Sequence, residues 1–234
     1  MDIKDITPDL LVYLQWGFLK LNATILFTWL VMGLIALVSH LLTRNLTSGV
    51  DIPRSQGVLE AIILGLRSQI EDIMPGRGES FLPFLGTLFL FIAVTNVLAV
   101  VPGFIPPTAS LSTTVALALC VLATVVLRGV SAHGPIGYLK LYAKPSPMLL
   151  PFNVIGEFSR TLALAVRLFG NVMSGTKIVA ILLAIAPLFF PIVMNILGLL
   201  TGLLQAYIFA ILAAVYIASA TSDPPQKRNI DPKE

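Results

Sequence analysis

The residues able to do chemistry in this chain gather in one stretch. Glu157, Arg160, Arg167 and Lys177 are ionisable groups set into the otherwise apolar run that follows Pro151. At about 100° per residue along a helix, Glu157, Arg160, Arg167, Asn171 and Ser174 fall inside an arc of roughly 100°, one polar stripe interrupted by Leu164. Lys177 and Ser159 lie off it. A later apolar run repeats the pattern more weakly: Thr201, Gln205, Tyr216 and Ser219 share an arc of about 60°. Two apolar helices with one polar stripe each must turn those stripes toward each other or toward a watery crevice.

Arg167 is the hardest of these groups to satisfy. Arg160 can pair with Glu157 three residues earlier, or snorkel to the near interface, and Lys177 can snorkel the other way. Arg167 sits ten residues from Glu157 and ten from Lys177, so about 15 Å of helix separates it from either polar end. No acid lies within one turn of it. A buried unpaired guanidinium costs several kcal/mol, and with a pKa above about 12 it cannot escape by losing its proton. Its compensating charge must come from outside the chain or from water. Bond-making catalysis has no comparable constellation: His40 and His133 fall at span ends, far apart, and Glu157 is alone. The pattern calls for no metal and no cofactor.

The elements that position these residues are membrane spans. The chain has 234 residues, 56% hydrophobic and 12% charged, with a mean hydropathy of +0.91; a soluble domain carries roughly 25% charged residues. Between Glu79 and Asp223 the only carboxylate is Glu157. This excludes a water-soluble globule, and it excludes disorder, which needs low hydrophobicity and high charge. The net charge of +3 and pI near 9.1 therefore describe loops rather than a nucleic-acid footprint. The acidic start, Met1-Asp2-Ile3-Lys4-Asp5, does not read as a secretory signal, and the single cysteine, Cys120, reads as a small core residue.

A helical span needs about 20 mostly apolar residues. An N-terminal segment, 1–22, precedes spans at 23–42, 81–101 and 111–127, the last closed by Arg128. The middle of the segment from Thr43 to Ser80, Val58 to Ile73, holds apolar residues at helical spacing (Leu59, Ile62, Ile63, Leu66, Ile70, Ile73), which predicts a helix lying on the interface. Two long stretches follow, 152–185 and 191–219, joined at Ala186 to Pro191. The first would reach roughly 50 Å as a helix, so it must tilt steeply or be broken. A tail, 220–234, ends the chain. The fold class is thus an all-α integral membrane protein, one membrane domain of five crossings plus an interfacial helix, with the last two crossings forming a long tilted hairpin. Basic residues set the orientation. Arg44, Arg54, Arg67 and Arg77 follow the first span, Arg128, Lys140 and Lys144 the third, and Lys227, Arg228 and Lys233 the last. The N-terminus is expected outside and the C-terminus in the cytoplasm.

These residues also match a family. Arg167-Leu168-Phe169-Gly170-Asn171, preceded by Glu157-Phe158-Ser159-Arg160, resembles the signature of the a-subunit of F-type ATP synthases. The likeness extends to Thr95-Asn96 with Pro102, to Pro106-Pro107-Thr108 with Thr113-Thr114, and to Leu204-Gln205-Ala206-Tyr207-Ile208-Phe209. It runs in family order from Leu11 to Ser219. The resemblance implies the stator half of a rotary ion motor, packed against a ring of c-subunits that each carry one membrane-buried carboxylate. Peripheral-stalk b-subunits would hold it still, and the soluble subunits of the ATP synthase would do the ATP chemistry. Two offset aqueous half-channels would pass protons or Na⁺ to and from the ring. Arg167 matches the arginine between them, Asn171 and Gln205 its polar neighbours, and Glu157, more loosely, a carboxylate near the cytoplasmic mouth. Gln205 is expected to hydrogen-bond or orient the guanidinium. Ser174, Thr176, Thr201 and Tyr216 complete the expected ion path. The implied setting is a multi-pass protein of the bacterial inner membrane, or of thylakoids in a cyanobacterial host.

The chain departs from the family pattern in the outer half-channel. Thr176 stands where many relatives carry a carboxylate or histidine, Gly198 at a second ionisable position, and Ser110 and Ser112 where an acid and an asparagine are usual. Thr161 stands where proline is common. This resembles the divergent N-type rotary ATPases, and hydroxyls with carbonyls suit Na⁺ as well as a water-borne proton. An alternative of similar size is the membrane half of an ATP-driven importer. That class needs a cytoplasmic docking loop with a Glu-Ala-Ala and glycine pattern, and the loop from Arg128 to Pro147 holds no acid.

Overall fold

The computed structural model describes residues 12–16, 19–44, 54–101, 103–142, 146–185 and 190–221. Six helices carry the architecture: α1 (Ala23–Arg44), α2 (Arg54–Ile73), α3 (Gly78–Leu98), α4 (Leu111–Tyr142), α5 (Leu150–Ile185) and α6 (Phe190–Thr221). All but α2 are long and apolar enough to cross a membrane, which makes five spans. Ahead of α1, the strands β1 (Val12–Trp16) and β2 (Leu19–Asn22) pair antiparallel. This hairpin falls in the segment 1–22, for which no element was expected; Leu19-Lys20-Leu21-Asn22 has the period-two alternation of a strand. The join at 186–189 and the tail from 222 to 234 lie outside the described residues, as does Pro102.

Helix α6 is the centre of the bundle and packs on α3, α4 and α5. Its inner face is lined by small residues, Gly202, Ala206, Ala210, Ala213 and Ala214, with Phe209 and Ile217 fully buried among them. Small residues let membrane helices approach closely, where packing rather than water exclusion drives association. Opposite them stand Leu85, Leu88 and Ile92 of α3, Val121 and Val125 of α4, and Leu164 and Leu168 of α5. Helices α3 and α6 approach closely at Gly202. A Cβ on Gly202 would meet Asn96 Cγ at 2.7 Å, and Asn96 Nδ2 donates across the gap to the Gly202 carbonyl at 3.1 Å.

The interfacial helix begins earlier than its apolar pattern indicated, at Arg54. Leu66 and Ile70, with Met74 just beyond, are buried against the bundle, while Ile62, Ile63 and Leu64 remain exposed, the arrangement of a helix half-sunk in a bilayer surface. Two bonds tie this end to α6: Tyr207 Oη donates to Gln69 Oε1 at 3.0 Å, and Arg77 Nη1 donates to the Thr221 carbonyl at 3.0 Å. The ends of α3 and α6 are thereby fixed. The start of α3 meets the end of α6, and the end of α3 meets its first half.

Two expectations need correction. Arg128 does not close the third helix: α4 runs on, bends at Gly134 (φ 71°, ψ 163°) and resumes from Pro135 to Tyr142. A charge ends a hydrocarbon span but not a helix, and the break falls where glycine permits a positive φ and proline can begin a new turn. Cys120 is exposed rather than in the core, because α4 turns Ala118, Val121 and Val125 inward and leaves Cys120 on its outer face. The long helix resolves the other way from a break: α5 is continuous over 36 residues. The charge-free link before α4 is buried from Pro107 to Ser110, partly as a 3-10 turn, Pro107–Ala109, which packs on α5.

Candidate functional site

The site is built on the antiparallel pair α5 and α6. Asn171 Nδ2 donates to the Thr201 carbonyl at 3.2 Å, which puts those two residues level. Four residues back along α5 and four on along α6, about 6 Å of helix in each, bring Arg167 level with Gln205. The two polar stripes therefore meet in this register. Toward the α2 end lie Glu157 on α5 and Tyr216 on α6; toward the other end lie Asn171, Ser174, Thr176 and Thr201.

Arg167 is exposed, as are Ala163 and Gly170, one turn away on the same face of α5, and Val166 beside it. Among the described residues it has no hydrogen bond and no ion pair. Its cation is left without a partner among the described residues, on an apolar flank that continues across α6 through Leu200, Leu203, Leu204 and Ile208. Gln205 is 6% exposed, and its Nε2 is buried with no hydrogen-bond partner among the described residues. The bond expected from Gln205 to the guanidinium is thus not made in this structure, although the two residues are level. Glu157 is half-buried and lies 3.5 Å from Arg160 Nη1, its i+3 neighbour. Ser174 bonds back to the Asn171 carbonyl, Thr201 to Leu197 and Gly198, and Tyr216 is half-buried. Lys177 is exposed on α5.

Between the end of α3 and the facing halves of α5 and α6 is a cavity of about 180 Å³, lined by Asn96, Asn171, Thr176, Asn195, Gly198 and Gly202 among others. It brings Thr176 and Gly198, the two positions where the resemblance implies ionisable groups, to one space. Asn195 was not singled out from the sequence. Its signal was there: Asn195, Gly198 and Gly202 recur at i, i+3 and i+7, one face of an apolar helix. A larger cavity, of about 750 Å³, opens at the α2 end between Arg67, Arg77, Glu79 and Arg128 and includes no residue of α5. There Arg67 pairs with Glu79, and Arg128 stands 5.0 Å over the Phe81 ring.

An apolar bundle with an unpartnered cation on its flank and a polar cavity beside it has the form of an ion-path membrane subunit. The family described as ATP synthase A chain matches residues 25–218. The chain is 59% identical over 216 residues to "ATP synthase subunit a 2" of Acaryochloris marina, covering 92% of each. It is 56% identical to "ATP synthase subunit a" of Nitrosospira multiformis over 93% of this chain and 87% of that one. It is 50% identical to "ATP synthase subunit a 2" of Picosynechococcus over 98% of both. The chain belongs to the ATP synthase subunit a family, and the importer alternative is left without support.

Proposed function

We propose that this chain is the non-catalytic stator subunit of the membrane sector of a rotary ATP synthase, with Arg167 as the fixed charge between two half-channels. The observation that carries the reading is Arg167 itself: an exposed guanidinium at mid-helix on an apolar flank, with no partner among the described residues. A moving carboxylate supplied by a ring of c-subunits would provide the missing counter-charge. Unit charges 4 Å apart attract by about 4 kcal/mol at an effective dielectric constant of 20. The same cation repels a travelling cation, which blocks a direct leak between the half-channels. Lysine is a poor substitute, since an ammonium loses its proton in apolar surroundings and a guanidinium does not.

In this reading Asn171 and Gln205 frame the guanidinium, with Gln205 Nε2 held in reserve for the charged partner. Thr176, Ser174 and Thr201 belong to the half-channel served by the cavity, and Glu157 and Tyr216 to the opposite one. The b-subunits of a peripheral stalk hold the bundle against rotation, and the membrane is a bacterial inner membrane or a thylakoid. The test is ATP-driven ion uptake by the reconstituted complex. Arg167→Ala is expected to abolish coupled transport while the complex still assembles; normal coupled uptake by that variant would reject the role.

A further inference from the structure

The cavity of about 750 Å³ at the α2 end holds no residue of either polar stripe, and its charges do not balance. Its lining sets three arginines, Arg67, Arg77 and Arg128, against two glutamates, Glu71 and Glu79. Both glutamates are already engaged. Glu79 pairs with Arg67, and Glu71 Oε1 accepts the Gly76 backbone N–H. Among the described residues, neither Arg77 nor Arg128 pairs with a carboxylate.

The contacts that hold these two guanidiniums leave donors to spare. Arg128 stands 5.0 Å over the Phe81 ring, a cation–π contact that fixes the head without satisfying its N–H fork. Arg77 gives one hydrogen to the Thr221 carbonyl at 3.0 Å and keeps the rest of its fork. Ser131 adds a hydroxyl to the same lining. Guanidiniums held in place with free N–H groups are suited to the oxygens of a phosphate.

The setting points to where such a phosphate would come from. Arg67 and Glu71 bring the end of the interfacial helix α2 to the cavity wall, which puts the site at headgroup depth. Leu127 is 69% exposed and lies four residues before Ser131, on the same face of α4. An apolar strip therefore leads from the cavity into the span. The volume is within the range of about 300–1,000 Å³ usual for small-ligand sites.

We infer that this cavity is a headgroup site for an anionic phospholipid, with its phosphate on Arg77 and Arg128 and an acyl chain laid along α4 past Leu127. Basic pockets between spans recognise lipid headgroups in this way. The inference goes beyond the stator reading and does not depend on the role of Arg167.

Arginine modification of the assembled complex in nanodiscs tests it. Phenylglyoxal adducts are read residue by residue by peptide mass spectrometry, with Arg44, exposed at the end of α1 and outside the cavity, as the internal reference. Three conditions are compared: phosphatidylcholine discs, discs that also contain phosphatidylglycerol, and phosphatidylcholine discs with inorganic phosphate at matched ionic strength. Phosphatidylglycerol should slow modification of Arg77 and Arg128 by about fivefold relative to Arg44, the effect of one arginine contact at an anionic surface. In Arg128→Gln most of the protection at Arg77 should disappear, because one headgroup serves both. Equal slowing at Arg44 would reduce the effect to diffuse surface charge. Protection by inorganic phosphate but not by phosphatidylglycerol would replace the lipid with a free ion. Full protection already present in phosphatidylcholine would assign the site to a carboxylate of another subunit. Each of these results, or no protection at all, would overturn the inference.

Discussion

Gln205 separates two kinds of contribution that a polar side chain can make inside a membrane bundle. A buried amide nitrogen without a partner costs about 1–3 kcal/mol, so Gln205 is a liability to the fold as it stands. Replacing it by leucine should leave the thermal stability of the complex unchanged or raise it by about 1–2 kcal/mol, while ATP-driven transport falls at least tenfold. A residue that merely joined two helices would do the reverse, losing about 0.6–2 kcal/mol of stability with transport falling only as assembly fell. Melting curves and ion uptake on the same preparation distinguish the two. Arg167 belongs to the same argument, since a cation with no partner among the described residues adds no ion pair to the packing of those residues.

At the scale of elements, the contact between α3 and α6 is the most sensitive to substitution. Gly202→Val would drive a branched side chain into Asn96, whose Cγ is 2.7 Å from where even the Cβ would sit. The helices must then separate, and the assembled complex should be lost from membranes, as read by its recovery in detergent. Asn96→Ala removes the bonds to Ile92 and Gly202 but leaves the approach intact, so it should cost only about 0.6–2 kcal/mol. Gly134→Ala tests the bend in α4. Its φ of 71° and ψ of 163° are a glycine conformation, and an alanine there should cost about 1–3 kcal/mol, seen as a lower melting temperature.

What could be read from the sequence follows from the range of the forces involved. The stripe of Glu157, Arg160, Arg167 and Asn171 was legible because helical periodicity is local, and the spans because hydrocarbon thickness fixes their length. The continuation of α4 past Arg128 was not, since the charge there marks the edge of the bilayer and the bend depends on Gly134 and Pro135 further on. The cavity between α3, α5 and α6 was legible only in parts. Thr176 and Gly198 stood out as departures from the family pattern, but their meeting with Asn96 and Asn195 depends on how three helices register. The inward or outward facing of Cys120 likewise depends on which face of α4 its neighbours cover.

For the whole molecule, the distribution of arginine and lysine makes a prediction about sidedness. Arg67, Arg77 and Arg128 gather around one cavity at the α2 end, and Thr221, where α6 ends, lies beside Arg77. By the positive-inside rule that end is expected to face the cytoplasm. A cleavable tag appended after Glu234 should therefore be cut by protease in inverted vesicles and protected in right-side-out ones. A tag before Met1 should behave in the opposite way, and the reverse pattern would invert the two ion paths.

The fastening of α6 would have a mechanical meaning if, as proposed, this part stands beside a turning one. In the proposed stator, a ring carboxylate drawn toward Arg167 would pull on α5 and, through the Asn171–Thr201 bond, on α6, with an equal and opposite tug to the one that advances the wheel. A smooth cylinder would roll under that load. The knob of Asn96 seated over Gly202, together with the Tyr207–Gln69 clasp on the surface helix, acts as a key in a slot. Loosening either should make the motor slip, burning ATP with fewer ions moved per turn, before it makes the protein fall apart.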